Sequence, residues 1–264
     1  MFHIVNSANR TRYKPQLDAM HAARVHVFAS RPYGGPDAVA GAGPRDRYDD
    51  DHALYLMRLD SFGEVICCGR LRPTARGSMI AAYFGHALMD AEPVEAPATW
   101  EFSHYYTREL AGRAPFRMRA EMRLAILAAA LDARIDRIVS VVEAEYWPWV
   151  EQSGWNVTSL GSPVLYGEDA EAMVYSFTVR PQDLVKFRLR LRAELLAAVG
   201  EVEDPEAAKA DGVTAVAESL GPAALDVLNS LSRAIATVEE SEGFDAALAL
   251  ADSLERAVRD GAAN

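Results

Sequence analysis

Two hydrophobic periods take turns along the first 180 residues. Short runs rich in β-branched and aromatic residues, some strictly alternating, read as strands: Phe2 to Val5, Ala53 to Leu59, Glu64 to Leu71, Trp100 to Thr107, Ile135 to Glu143, Trp155 to Leu160 and Ala172 to Val179. A helical period fills two longer gaps. Asn9 to Ser30 carries apolar residues at Leu17, Met20, Ala23, Val27 and Phe28, with Arg24 beside that stripe, and Phe116 to Ala133 carries them at Leu124, Leu127, Ala128 and Leu131. Asp60-Ser61-Phe62-Gly63 joins two strands as a hairpin, Pro73 stops the second, and Gly154 ends a short helix over Tyr146 to Ser153. Ser78 to Met89 is mixed around Phe84 and reads as a strand running into a short helix.

Strand, helix, hairpin, strand, helix, strand, helix, strand, strand is an α/β order with a mixed sheet. From Pro181 the pattern is helical throughout: one helix to Val199, then weaker candidates over Glu206–Leu220, Pro222–Val238 and Phe244–Val258, parted by glycines. This predicts a domain over residues 1–200 and a helical C-terminal extension over 201–264.

Charge sharpens that division. The chain of 264 residues has a net charge of -11, and the extension alone holds 14 acidic and 4 basic residues. The first 200 residues are therefore nearly neutral and can carry basic surfaces locally, while the overall balance disfavours nucleic acid as a partner. No apolar run is long enough to span a membrane and the N-terminus lacks a secretory pattern, so a cytoplasmic protein is expected. Cys67 and Cys68 are neighbours within a strand and read as buried thiols, neither a disulfide nor a metal pair. No P-loop or dinucleotide fingerprint is present.

The candidate chemistry centres on Trp100-Glu101-Phe102-Ser103-His104. A carboxylate inside an apolar strand is costly unless it is paired or used. Alternation puts Glu101 and Ser103 on one face, Phe102 and His104 on the other. Upstream, a loop of about 20 residues runs from Pro32-Tyr33-Gly34-Gly35 through Gly41, Gly43 and Pro44 to Asp46-Arg47-Tyr48-Asp49-Asp50-Asp51, and loops that long in a compact domain are more often functional.

Taken together, Arg24 and Phe28, Asp46 and Asp49, Arg70 in Arg70-Leu71-Arg72-Pro73-Thr74, Phe84, Glu101, Gly154-Trp155 and Leu160-Gly161-Ser162-Pro163 resemble the LuxI-type acyl-homoserine-lactone synthases of bacterial quorum sensing. The resemblance implies a GNAT-like three-layer αβα sandwich with a mixed, mostly antiparallel central sheet. It implies acylation of the amine of S-adenosylmethionine from an acyl thioester on acyl carrier protein or coenzyme A. Lactonisation with loss of 5′-methylthioadenosine follows, and no prosthetic group is needed. On that reading Glu101, Arg70 and Asp49 are catalytic, with Glu101 the base. Arg24, Phe28, Asp46, Asp49 and His104 bind S-adenosylmethionine, whose two cationic groups suit carboxylates. Phe84, Phe102, Ser103, Ser140 and Val142 form the acyl pocket. Arg113, Arg117 and Arg119, in the densest basic stretch of the chain, dock the acidic or phosphate-bearing donor. Backbone N–H groups for the oxyanion would come from Phe102 to Tyr105 and Ser140 to Val142, where two parallel strands splay.

Three positions depart from the family: His104 stands where an arginine is usual, Tyr33-Gly34-Gly35 where a tryptophan is usual, and Pro44 where a glutamate is usual. Rival readings are a GNAT-type N-acyltransferase that uses coenzyme A thioesters and another amine, and a non-catalytic descendant. The extension would serve dimerisation, as in a homodimer, or regulation.

Overall fold

The structure is a computed structural model that describes residues 2–29, 45–85, 88, 93–108, 114–166 and 170–188, with 234, 237, 246, 249, 250 and 253 beyond. The first half of the long loop, with Tyr33, Gly34, Gly35 and Pro44, lies outside these residues, as does nearly all of the extension. The chain divides into two compact units, Met1–Val179 and Arg180–Asn264; the sequence places the boundary near residue 200. In the second unit, residues 181–188 are helical.

The first unit is built on one eight-stranded sheet. Its strands are β1 (Phe2–Val5), β2 (Leu54–Leu59), β3 (Val65–Pro73), β4 (Thr99–Thr107), β5 (Arg137–Glu143), β6 (Val157–Ser159), β7 (Val164–Tyr166) and β8 (Ala170–Thr178). The order is β1-β2-β3-β4-β5-β8-β6, with β7 also on β8. Among the described residues, only β4 and β5 run parallel. The helices are α1 (Lys14–Ala29), α2 (Met79–Phe84), α3 (Ala114–Asp132) and α4 (Trp147–Glu151). Gly63 turns the β2–β3 hairpin at φ 82°.

Alternation sorts the strands between two cores. On one face Tyr55, Met57, Cys68 and Tyr106 pack on Leu17 and Met20 of α1, and Val139 and Val174 pack on Ile80 and Phe84 of α2. The other face meets α3: Arg58 pairs with Glu121 at 3.7 Å, and Met122 lies near Gly69. A Cβ on Gly69 would come within 2.5 Å of the Phe102 ring, so only glycine lets that ring lie flat on β3. This is a three-layer αβα sandwich.

Several expected details differ. Ser78 to Met89 holds no strand among its described residues, only α2. β7 was not foreseen. The buried side of α3 is formed by Met118, Met122, Ile126, Leu127, Ala130 and Leu131, whereas Leu124 and Ala128 are half-buried. A helix so rich in alanine and long apolar residues has no single marked stripe.

Candidate active site

The buried charges collect on the α1 side of β2, β3 and β4. Arg70, on β3, is 1% exposed. Its Nη1 donates to Asp46 Oδ1 at 2.6 Å and to Asp49 Oδ1 at 2.9 Å, and its Nε donates to Ser103 Oγ at 3.2 Å. Arg24 reaches the same pair from α1, with Nη1 2.8 Å from Asp49 Oδ1 and Nη2 3.4 Å from Asp46 Oδ2. Tyr55 donates its hydroxyl to Asp49 Oδ1 at 2.9 Å. The aspartates also bind their own loop: Asp46 N–H donates to Asp49 Oδ2, and Tyr48 N–H to Asp46 Oδ1, each at 2.8 Å. Two guanidiniums thus face two carboxylates. Burial alone would raise the carboxyl pKa values, but Arg24 and Arg70 overcome it at Asp49, holding it at about 2. His104 and Arg70 do the same at Asp46.

His104 joins this cluster through a bulge. Between Cys68↔Tyr106 and Arg70↔Ser103 the β3–β4 register shifts by one residue, and His104 takes a left-handed φ of 53°. The extra residue resets the alternation. His104 lies on the Glu101 side of the sheet, contrary to the simple period, with Nε2 2.8 Å from Asp46 Oδ2. Its ring meets Phe28 edge to face at 5.4 Å. Burial, then Arg24 and Arg70, pushes its pKa down to about 3. A neutral ring bonded to a carboxylate carries its proton on Nε2, which leaves Nδ1 as an acceptor. His21, three residues before Arg24, is likewise kept neutral, its pKa lowered by burial to about 4.

Glu101 has different company. It is 3% exposed, and its Oε2 accepts from Ser78 Oγ at 2.6 Å and Ile80 N–H at 2.9 Å. Ser78 caps α2, its Oγ also accepting from Ala81 N–H at 3.0 Å. Burial raises the pKa of Glu101 despite these two donors and the nearby Arg70.

The five acyl-pocket candidates do not share a face. Ser103 accepts from Arg70, and Phe84, on α2, packs with Val139 and Val174 on the same side. Phe102, Ser140 and Val142 alternate onto the α3 side, where Ser140 Oγ donates to the Phe102 carbonyl at 2.9 Å. The sheet itself separates the two groups. Between them it opens: β4 and β5 pair from Thr99↔Arg137 to Phe102↔Ser140 and no further, after which β4 follows β3 and β5 follows β8. Backbone groups of Ser103 to Tyr105 and Val141 to Glu143 are therefore not paired with one another across these two strands. Of the donor-docking arginines, Arg119 lies beside Tyr105, with its guanidinium carbon 4.9 Å from the centre of the Trp149 ring. Arg113 and the side chain of Arg117 lie outside the described residues.

Sequence reasoning did not single out Tyr55, His21 or Ser78. His21 was within reach, since it sits three residues before Arg24 on one helix face. Tyr55 acts on Asp49, six residues before it across the start of β2, and Ser78 on Glu101, 23 residues on.

The family model described as autoinducer synthase matches residues 8–181. The isovaleryl-homoserine lactone synthase of Bradyrhizobium diazoefficiens is 27% identical over 184 residues, covering 70% of this chain and 82% of that protein. An acyl-homoserine-lactone synthase of Pseudomonas chlororaphis is 32% identical over 116 residues, which cover 44% of this chain and 56% of that one. Among solved structures, the CoA-dependent acyl-homoserine lactone synthase BjaI, with SAM and isopentyl-CoA, matches with a TM-score of 0.63 at 27% identity, over 72% of this chain and 89% of that chain.

Proposed function

The chain belongs to the autoinducer synthase family, and from that premise we propose that it makes an acyl-homoserine lactone from S-adenosylmethionine and an acyl thioester. The amine nitrogen attacks the thioester carbonyl and the carrier thiol leaves. An oxygen of the methionyl carboxylate then attacks its own γ-carbon, the carbon–sulfonium bond breaks, and 5′-methylthioadenosine departs. The observation that carries this reading is the opening of β4 from β5 directly after Phe102 and Ser140, beside the buried cluster. A thioester lying in that opening meets strand amides able to receive its oxyanion. The acceptor approaches from the α1 side, where Ser103, His104 and Phe28 are found.

The geometry divides the roles. Asp46 and Asp49 have their oxygens committed to Arg24, Arg70, Tyr55, His104 and the loop's own N–H groups. They shape the acceptor pocket and fix Arg70 rather than meeting a cation directly. Glu101, held by a hydroxyl and an amide, is the carboxylate left to offset the ammonium and to take its proton, at Oε1. Phe28 and the neutral His104 line the acceptor side, with Nδ1 of His104 able to accept from an amine. Phe84 and Ser103 serve one side of the acyl path and Phe102, Ser140 and Val142 the other. Arg119 serves the donor, on coenzyme A or acyl carrier protein. No described helix is long and apolar enough to cross a membrane, and both substrates are made in the cytoplasm, where we place the enzyme.

The test is product analysis. Purified protein with S-adenosylmethionine and acyl thioester is expected to give lactone and 5′-methylthioadenosine in equal amounts by mass spectrometry. An acylated amine with free thiol and no 5′-methylthioadenosine would overturn the reading in favour of simple N-acyl transfer.

A further inference from the structure

Where α3 crosses the diverging strands, one side chain reaches both arms of the opening. Arg119 lies beside Tyr105, on the part of β4 that has left β5. It also lies 4.9 Å over the ring of Trp149, on α4, the helix that follows β5. The aromatics behind this point are packed away: Phe102 against Tyr105 with centroids 6.2 Å apart, Trp147 against Tyr175 at 5.7 Å, and Trp155 stacked on Phe177 at 4.0 Å. Trp149 is not; it is 54% exposed. Tyr146, 45% exposed, meets it edge to face at 6.5 Å. An indole and a phenol held near right angles, at 83°, make a partly exposed corner beside the Arg119 guanidinium. Leaving two large aromatics in water is unfavourable unless something covers them.

A flat ring carried with phosphates suits this corner: the ring stacks on the open side of the indole and the phosphates are drawn to the guanidinium. A phosphopantetheine arm borne on a carrier protein has the phosphate but no planar ring. We propose that Trp149, Tyr146 and Arg119 form the subsite for the nucleotide of a coenzyme A-borne acyl donor, with the adenine on Trp149. This rests on the proposed reaction and decides which carrier supplies it.

The experiment compares two thioesters with the same acyl group, acyl-CoA and acyl-pantetheine, in the wild-type protein and in Trp149→Ala and Trp149→Phe. Trp149→Ala should raise KM for acyl-CoA about tenfold, the usual scale for losing one base–aromatic stack, with kcat retained. KM for acyl-pantetheine should not move, because that donor lacks the base, and Trp149→Phe should recover most of the loss. Adenosine 3′,5′-bisphosphate should compete with acyl-CoA in the wild-type protein and not in Trp149→Ala. An unchanged KM for acyl-CoA in Trp149→Ala, equal losses with both thioesters, or a wild-type preference for acyl carrier protein thioesters would each overturn the subsite. If no donor yields lactone, the reaction assignment itself falls, a result distinct from all of these.

Discussion

Two carboxylate environments lie against the same face of this sheet, one on the loop before β2 and one on β4, and they are built on opposite principles. Asp46 and Asp49 meet guanidiniums at 2.6 to 2.9 Å and are held ionised. Glu101 meets a hydroxyl and a backbone amide, and burial raises its pKa. A carboxylate bonded to a fixed positive charge is a scaffold, because taking up a proton would break the pair. One bonded to neutral donors keeps both protonation states within reach, which a proton-transferring group needs. Residue type alone does not separate the roles; the partner does.

The comparison breaks most visibly at Arg70. Arg70→Met leaves two buried aspartates short of a countercharge and should cost about 3–5 kcal/mol in chemical denaturation; a near-neutral result would mean the cluster is not the scaffold described. Next comes Glu101→Gln, which should preserve the melting temperature far better while lowering turnover at least ~100-fold, the scale for losing a general base. Retained turnover would move the proton-accepting role elsewhere.

Acid should weaken the scaffold in two stages. His21 and His104 are neutral in the fold, with pKa values lowered to about 4 and about 3, against about 6.5 for a free imidazole. The unfolded chain takes up those protons first, so stability falls as pH drops below about 6.5 and keeps falling towards about 3. Asp49, lowered to about 2, contributes stability that is present above about 4 and lost as pH falls towards 2. Glu101 has the opposite sign: its raised pKa favours the fold at low pH, and that contribution fades as pH rises through the folded value. Melting temperature against pH for His21→Gln and His104→Gln should lose part of the upper stage. The smallest effect is expected from Ser78→Ala, which removes one bond to Glu101. It should cost about 1 kcal/mol and shift the acid limb of the pH–rate profile upward.

Much of the frame can be read in the residues. Val139 and Val141 of an apolar strand, Leu17 and Met20 one turn apart, and Gly63 in a hairpin are local signals, and the elements they predict are present. The site was legible as a set of residue types and not as a set of contacts. Nothing local to Asp46 and Asp49 says that two arginines from α1 and β3 will occupy them, since those partners are 21 to 25 residues away in the chain. The position of His104 was misread for a sharper reason. A period of two predicts the wrong face whenever a strand carries an extra residue, and histidine gives no warning of a left-handed φ as glycine or asparagine would. The acyl candidates were grouped by the resemblance, and within that group Phe102 and Ser103, neighbours on a strand, point opposite ways.

That extra residue also bears on what comes after it. With His104 in the strand, Tyr105 reaches Arg119 and Tyr106 fills the core under α1 because the bulge takes the histidine out of register. Excising His104 would leave Ser103 opposite Arg70, Tyr105 opposite Gly69 and Tyr106 opposite Cys68 in a regular ladder, so both phenols would keep their layers and the imidazole on Asp46 would be lost. Position 104 is therefore an insertion that serves the charged cluster, and the strand on either side of it would pair without it.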